Sequence, residues 1–265
     1  KDNGVSAADV RVAQEAWAMY LGRNVEEEDE IAPGVKMKFV LVPPGKFQMG
    51  SPEGEVGHAK DEVLHEVELT RPFYLGMYDV TQAQYEAVTG KTPSNFKGAD
   101  LPAMGVNWDE ADAFAKGLSQ KARDGLLYRL PTEAEWEYSC RGGRSSSLAF
   151  GVGDGTTLST RDANFSDSNL NKTTPVGTYK PNALGLYDMQ GNVWQWCADY
   201  YGDYPAEEVT NPSGPPSGPS RVDRGGSWDG DARICRAARR SRIEPGRRGQ
   251  GLGFRLARVP SGLDK

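Results

Sequence analysis

The sequence has few residues of the kinds that usually carry metal or redox chemistry. Its 265 residues include three cysteines, Cys140, Cys197 and Cys235, and two histidines, His58 and His65. No two cysteines have C-x-x-C spacing, which excludes a zinc ribbon and a thioredoxin-type motif. Two histidines cannot supply a three-histidine site, so zinc-hydrolase and histidine-ligated iron chemistry are not expected within one chain.

Long apolar runs and repeats are missing as well. The apolar segments are as short as 39–42, whereas a membrane-spanning helix needs about 20 apolar residues, so no membrane span is expected. The absence of their repeats excludes collagen and coiled coil. The net charge of −6 makes nucleic acid and anionic membranes unexpected partners. The chain begins at Lys1 rather than Met; a removed export signal would explain this, and an exported or periplasmic location and a cytoplasmic one both stay open.

Glycine is abundant instead. The chain carries 32 glycines among its 265 residues, about 12%, where about 7% would be typical. It also carries 17 prolines and 6 tryptophans. This composition favours a loop-rich globular protein over a helical bundle. The length of 265 residues predicts one large domain or two modest ones.

Four helices are predicted, each from apolar residues at helical spacing. Their ranges are 7–20, 81–90, 108–122 and 133–139. Ser6 and Thr81 are expected N-caps, and Thr132 with Glu135 predicts a capping box.

Short strands are predicted from alternating or continuous apolar residues. Their ranges are 35–42, 45–49, 64–70, 73–78, 193–198, 221–228 and 253–259. The Pro43-Pro44-Gly45 turn indicates that the first two form a hairpin. Between about 143 and 227 the chain is rich in Gly, Asn, Asp, Ser and Thr. Long turns held by hydrogen bonds or bound ions are therefore expected there.

The acidic run at 26–30 has two interpretations. A solvated linker is the expected one, and an acidic docking tail is the alternative. A boundary is placed near Pro33. The predicted organisation is a helical extension with an acidic linker at 1–33, one domain at 34–260 and a tail at 261–265.

Seven motifs, taken in order, carry a family resemblance. They are FVLVPPGKFQMGS at 39–51, YDVTQAQY at 78–85, PAMGVNW at 102–108, RLPTEAEWEY at 129–138, GLYDMQGNVWQW at 185–196, RGGSW at 224–228 and GFRL at 253–256. Together they resemble the formylglycine-generating enzyme family, or sulfatase-modifying-factor domain, over about 35–259. The resemblance implies one irregular α+β domain, similar to an elaborated C-type-lectin fold with little regular secondary structure.

The family resemblance does not settle the activity. Members include formylglycine generators, sulfoxide synthases, pyoverdine-maturation proteins and hypervariable ligand-binding proteins, so fold and function are argued separately. Generators oxidise a substrate cysteine to an aldehyde and hold copper(I) with two cysteines after Gly-Gly-Ser, since thiolates suit Cu(I).

The copper pair is incomplete in this sequence. Gly230 stands at the first cysteine position, and Cys235 falls formally at the second. Aligning the Ala-Ala-Arg string at 237–239 instead moves Cys235 to a non-catalytic place. Either alignment removes the pair, so copper and formylglycine generation are not expected. Cys235, the only candidate catalytic residue, is expected to be a buried structural cysteine.

The resemblance also bears on the other cysteines and on iron. Cys140 matches a family cysteine whose disulfide partner position is Leu256 here, so a free core thiol is expected, and Cys197 is expected in the core. Sulfoxide synthases hold iron with three histidines from an extra helical domain, and this chain has one short N-terminal helix. Iron is therefore not expected, and His58 and His65 are expected at the surface.

Calcium is expected as structural support, because relatives bind two ions in the irregular half through carbonyl and carboxylate oxygens. The first carried-over set is Asp188, Gly191, Val193 and Gln195. The alternative there is a turn in which Asp188 bonds its own backbone. The second set, with Ser168 as an alternative ligand, is Asn164, Phe165, Asp167 and Leu170.

The segment 221–258 is basic, with eleven arginines and four acids. In lectin-like relatives the residues between Gly-Gly-Ser-Trp and Gly-Phe-Arg line the binding face. Arginine forks and a tryptophan platform suit carboxylates, sulfates or phosphates. The candidate ligand residues are Trp228, Asp229, Asp231, Arg233, Arg240, Arg242, Glu244 and Arg247, with Tyr200 and Tyr201 in a groove. Among the arginines, Arg233, Arg240, Arg242 and Arg247 are expected to be exposed, and Arg236, Arg239 and Arg255 structural.

The predicted function is binding of a small-molecule, peptide or protein ligand, anionic in character, on this Trp228–Arg247 face. A calcium-supported monomer that binds no nucleic acid is expected. The main alternative is a metal-dependent oxidoreductase of the same family that oxidises a cysteine or another thiol or amine with O2. A scaffold module in an exported assembly is a third hypothesis, and whether the chain is an enzyme stays open.

Overall fold

Each helix begins where a polar side chain caps its first turn. The computed structural model describes residues 6–122, 125–144 and 148–260. Its helices are α1 (Ala7–Leu21), α2 (Gln82–Thr89), α3 (Trp108–Lys121) and α4 (Glu133–Cys140). Their N-caps, each part of a capping box, are Ser6, Thr81, Asn107 and Thr132. All four predicted helices are confirmed, and the tail expected at 261–265 lies outside the described residues.

The strands of the described residues form three sheets. They are β1 (Glu26–Ala32), β2 (Val35–Val42), β3 (Gly45–Met49), β4 (His65–Leu69), β5 (Phe73–Gly76), β6 (Leu126–Arg129), β7 (Trp194–Tyr200), β8 (Val209–Thr210), β9 (Arg221–Arg224), β10 (Arg240–Ile243), β11 (Leu252–Gly253) and β12 (Ala257–Pro260). The sheet orders are β1-β2-β5-β12-β6, β10-β9-β7-β11 and β3-β4-β8. Pairing is antiparallel except between β4 and β8 and between β7 and β11. The predicted α+β class is confirmed.

The predicted hairpin is wrong, although both of its strands exist. β2 pairs with β1 and β5, whereas β3 pairs with β4. Pro43 and Pro44 lie between them and have no backbone N–H to donate to a ladder. The chain therefore passes from one sheet into another at this turn.

The acidic run forms β1, so the linker expected at 26–30 is wrong. Side chains alternate between the two faces of a strand, and the exposed acids are Glu26, Glu28 and Glu30. Glu27 and Asp29 point the other way and bind Arg258 of β12, with Nη1 of Arg258 2.6 Å from Oδ1 of Asp29. Strand alternation thus brings two acids of the run to a fully buried arginine. The boundary near Pro33 stays a prediction.

The described part of 143–227 contains few regular elements, as predicted. Several of its turns use the left-handed backbone at residues other than glycine, namely Asn169, Asn171, Asp188, Asn192 and Asn211. Short polar side chains tolerate this conformation because they bond nearby backbone. Asn192, for example, accepts from the N–H of Thr174 at 3.0 Å and donates to its carbonyl at 3.2 Å.

Two apolar clusters make up the core of the described residues. The larger one packs the sheets against the helices. The smaller one is formed by Phe150, Leu158, Ala163, Phe165 and Cys235. It lies beneath a single 3-10 turn, Ala232–Cys235, where the candidate site is found. Within the described ranges, no helix combines the length and the apolar character needed to cross a membrane.

Candidate functional site

Cys235 is sealed inside the smaller cluster. It is 0% exposed, and burial raises the pKa of its thiol to about 12. Gly226 packs against it with a φ of 74°, and a Cβ at that glycine would lie 2.5 Å from the Cys235 sulfur. All three cysteines are free and buried, which matches the expectation for Cys140 and Cys197.

The first copper position is filled by a neighbour. A Cβ at Gly230 would lie 2.0 Å from Cδ1 of Ile234. A cysteine at residue 230 would therefore require Ile234 to move. The turn is packed around an aliphatic side chain at the position where the family resemblance implies the first copper-binding cysteine.

A cavity of about 520 Å³ opens beside this turn. Three segments that are distant in sequence line it, 52–56, 148–158 and 232–236, and its apolar lining includes Val56, Leu148, Phe150 and Leu158. Two arginines also line it, Arg233 and Arg236. The cavity is therefore an apolar space with guanidinium groups at one wall.

Both arginines of the cavity already have acidic partners. Arg236 is buried, and its guanidinium contacts Oε1 of Glu55 at 2.6 Å and Oε1 of Glu62 at 2.8 Å. It also donates to the carbonyl of Gly57. Arg233 is exposed and contacts Oδ2 of Asp231 at 2.6 Å. Arg236 thus holds the 55–62 loop against the turn, as its expected structural role requires.

The 51–62 loop contains a buried polar chain that the sequence did not predict. Ser51 donates its hydroxyl to Oε2 of Glu62 at 2.7 Å and lies 2.8 Å from Nδ1 of His58. Burial raises the pKa of Glu62, but the Arg236 and Ser51 hydrogen bonds outweigh it and lower the pKa overall. One hydroxyl hydrogen cannot serve both neighbours. Because the Ser51 hydroxyl donates to the ionised Glu62, it does not donate to His58. These hydrogen bonds therefore stabilise the loop and do not form a serine nucleophile activated by a histidine base.

Arg240, expected to be exposed, is buried. Its Nε and Nη2 bind the two oxygens of Glu133 at 2.8 and 2.9 Å. Its guanidinium also lies 3.7 Å from the ring centre of Tyr204. A desolvated guanidinium needs a carboxylate partner, and the partner at the start of α4 draws Arg240 inward.

The remaining predicted ligand residues do not gather in one place. Arg233 lines the cavity, and Asp231 reaches it only through its contact with Arg233. The exposed Arg242 stands over the Tyr201 ring, whose hydroxyl donates to Asp61 at 2.5 Å. Arg221 covers the Tyr200 ring at 3.4 Å. Glu244 and Arg247 are exposed in a turn after β10.

Trp228 and Asp229 face another neighbourhood. Trp228 is half-buried with its ring edge against Phe96, and Ser227 donates its hydroxyl to Asp229 at 2.5 Å. His65, expected at the surface, is 5% exposed and packs on Tyr204. The structure therefore divides the predicted face, and its 232–236 part borders the cavity of about 520 Å³.

The first calcium set does not fit an ion in this structure. Gln195 accepts N–H bonds from Trp136 and Arg255 at its amide oxygen, both at 2.7 Å. Its amide nitrogen donates to the carbonyl of Asp188 at 2.8 Å. The Asp188 carboxylate accepts from the N–H of Gly177 at 2.7 Å. Both the oxygen and the nitrogen of the Gln195 side-chain amide are thus already bonded to protein groups. Calcium at Asp188, Gly191, Val193 and Gln195 stays a prediction.

The second calcium set retains an unused ligand. Oδ1 of Asn164 is buried and has no hydrogen-bond partner, while its Nδ2 donates to the carbonyl of Lys172 at 2.9 Å. Oγ1 of Thr173, which follows Lys172 in the chain, is also buried and has no hydrogen-bond partner. A hard cation takes such oxygens. Asp167 and Leu170 of this set are exposed. Across the described ranges no group of three or more His, Cys, Asp or Glu side chains is arranged to hold a metal.

Comparisons with known proteins agree with this architecture. Residues 27–260 match the family model described as the sulfatase-modifying factor enzyme 1-like domain. The chain is 34% identical to the serine/threonine-protein kinase pkn1 of Chlamydia caviae over 90% of this chain and 41% of that protein. It is 30% identical to the formylglycine-generating enzyme of Bos taurus, over 85% of this chain and 75% of that enzyme.

The solved structures extend the likeness to three dimensions. The Treponema denticola variable protein 1 superposes with a TM-score of 0.78 at 29% identity, covering 88% of this chain and 98% of that one. The chain spans about two fifths of the length of the Chlamydia kinases it matches. Such neighbours confirm the C-type-lectin-like architecture implied by the motifs. With a family match from β1 to β12, the chain belongs to the sulfatase-modifying factor enzyme 1-like family.

Proposed function

We propose that this chain is a binding member of its family rather than a formylglycine generator. The cavity beside Ala232–Cys235 takes an apolar group of a ligand or protein partner. The observation that carries this is an open cavity next to a single, buried thiol. Copper(I) in the generators is held by two thiolates, and with glycine at residue 230 this turn supplies one cysteine.

The lining supports a ligand with an apolar body. A volume of about 520 Å³ falls within the about 300–1,000 Å³ common for small-molecule sites. Arg233 stands at the wall with its side chain 70% exposed, in contact with Asp231. A carboxylate or sulfonate on the ligand can compete for this guanidinium, which keeps the expected anionic character within the proposal.

Fluorescence of 8-anilinonaphthalene-1-sulfonate tests this binding, because the dye joins an apolar body to a sulfonate. Val56 lines the cavity and is 80% exposed, so Val56→Glu leaves the core intact. Val56→Glu puts a negative charge in the apolar lining and should weaken binding of the anionic dye at least about tenfold. Val12→Glu is the matched control, since Val12 is 65% exposed on α1. Equal loss in both variants, or no dye binding, would reject the cavity as the site.

An activity assay separates binding from oxidation. The protein is incubated with copper(I), a reductant, oxygen and a peptide containing Cys-x-Pro-x-Arg, beside a competent generator as positive control. Mass spectrometry should show the peptide cysteine unchanged by this chain. Conversion to the aldehyde would refute the proposal and support the oxidoreductase alternative.

We further propose that calcium binds at the Asn164 set. The ion would be held by the Asn164 side-chain oxygen, the Phe165 carbonyl and oxygens near 167–170, and it would stabilise the irregular half. A site filled at about 100 times its Kd adds about 2.7 kcal/mol to the free energy of unfolding. Calcium should raise Tm relative to chelator and magnesium should not. Asn164→Ala should remove the calcium response while Asp188→Asn keeps it; the reverse pattern would refute this placement.

A further inference from the structure

Helix α1 has an apolar stripe that nothing in the described chain covers. Its inner face buries Val10, Gln14 and Ala18, and Gln14 donates to the carbonyls of Leu41 and Leu184 at 2.8 and 3.1 Å. On the outer face, the exposed apolar side chains are Val12 at 65%, Met19 at 82% and Tyr20 at 79%. A surface helix normally turns polar residues outward, so this stripe indicates a docking surface.

The stripe is self-complementary in size. Ala8, Val12, Ala16 and Tyr20 are spaced four residues apart and therefore form one row along the helix. When two such helices cross antiparallel, Ala8 faces the partner's Tyr20 and Val12 faces the partner's Ala16. Each large side chain then meets a small one, which is how packed helices fill the space between them.

The stripe is also self-complementary in charge. Arg11 and Glu15 flank the row and lie half exposed or more, with Nε of Arg11 3.0 Å from Oε1 of Glu15. In an antiparallel pair the same flank of each helix meets. Arg11 therefore faces the partner's Glu15, and Glu15 faces the partner's Arg11. A twofold axis therefore allows the two internal ion pairs to be exchanged for two pairs across the interface.

We propose that two copies of this chain associate through α1 as an antiparallel helix pair. This departs from the monomer expected from the sequence. A surface one helix wide lies at or below the about 1,200–2,000 Å² of standard interfaces. The dimer is therefore weak and dependent on concentration. It leaves the cavity beside Ala232–Cys235 on another part of the molecule, so the proposal is independent of the proposed function.

Sedimentation equilibrium of the full chain tests the association, from about 1 µM to about 1 mM. The mass should rise from that of a monomer to that of a dimer. Val12→Glu places a charge in the stripe and should weaken association at least about tenfold. Val56→Glu changes another exposed valine, away from α1 and 80% exposed, and should have no effect on association. A monomer at every concentration, or a dimer insensitive to Val12→Glu, would overturn the proposal.

A charge exchange tests the antiparallel register. Arg11→Glu alone and Glu15→Arg alone each put like charges opposite one another and should weaken the dimer. The double variant restores opposite charges and should recover most of the association. Circular dichroism reports that α1 is retained in every variant. Failure of the double variant to recover, with α1 intact, would refute the antiparallel register.

Discussion

At the scale of single residues, burial decides what an ion pair contributes. Arg236 and Arg233 lie three residues apart, and their side chains are 1% and 70% exposed. Arg236→Met leaves the fully buried Glu62 without its hydrogen-bonded cation and with only Arg239 near it, at 4.0 Å. This should lower the free energy of unfolding by about 3 kcal/mol. Arg233→Met removes an exposed pair and should cost about 0–1 kcal/mol. Urea unfolding measures both, and equal losses would contradict this assignment.

The thiols give a second prediction at this scale. Cys140, Cys197 and Cys235 are all 0% exposed, and burial raises the pKa of Cys140 and of Cys235 to about 12. Ellman's reagent reacts with thiolate, so the native protein at about pH 8 should show no rapid reaction. All three thiols should react at once in denaturant. One rapidly reacting native thiol would contradict the burial of Cys235.

Residue roles were predictable where the residue type or the family resemblance indicated them. The burial of Cys235 and the structural role of Arg236 are confirmed. The exposure predicted for Arg240 was wrong, because neither signal indicated its pairing with Glu133, 107 positions away. Periodicity and charge counts within 221–258 cannot reveal that an acid on α4 will draw one particular arginine inward.

At the scale of elements, β1 gives the sharpest prediction. Glu27 and Asp29 face the buried Arg258, whereas Glu28 and Glu30 face solvent. Asp29→Asn should destabilise the protein by about 1.5–3 kcal/mol, because it removes one of the two carboxylates that bond the buried cation while Glu27 stays in place. Glu30→Gln on the same strand should change the stability by less than about 0.5 kcal/mol. Thermal unfolding compares the two variants, and similar Tm values would refute the inward role of Asp29.

Helices were predictable because their signals are local. Ser6, Thr81 and Thr132 each cap a turn formed by residues three positions away. Strand pairing does not follow sequence order: β2 pairs with β5, whereas β3, the next strand in sequence, pairs with β4. β1 was hidden because the cation that compensates its two inward acids, Arg258, lies on the distant strand β12.

At the scale of the whole molecule, buried carboxyl groups set the pH dependence of stability. Burial raises the pKa of Asp79 to about 8 and that of Asp223 to about 7; for Asp199, burial and then the nearby Glu133 raise it to about 8. The ordinary value in an unfolded chain is about 3.9. Between about pH 4 and 8 the folded protein therefore holds more protons, and its stability falls as the pH rises.

Urea unfolding from about pH 5 to about pH 8.5 should show this decline. Asp79→Asn should make it shallower, while the exposed Asp167→Asn should leave the slope unchanged. The lowered pKa values of Glu62 and Glu133 act in the opposite sense. The stability they provide is present above about pH 4.5 and is lost on acidification. A stability that rises steadily from pH 5 to 8 would contradict the assignment.

The candidate site was predictable only in part at this scale. The turn Ala232–Cys235 lay within the predicted face. The opposite walls come from 52–56 and 148–158, which no motif connects to it. Their meeting depends on Arg236 holding Glu55 and Glu62, which are 181 and 174 positions away. A concave site built from three distant segments cannot be read from any one of them.

The ion pairs of Arg258 with Glu27 and Asp29 join the first strand of the domain to the last. Arg258 stands 231 positions after Glu27 and 229 after Asp29, and it binds both. During synthesis, β1 leaves the ribosome long before Arg258 exists, and the emerging chain carries Glu27 and Asp29 without the buried cation that binds both of them. Closing so long a loop is slow because its entropy is lost before the contact forms. The five-stranded sheet is therefore completed only after translation has passed β12, and a chain truncated before Arg258 cannot close it.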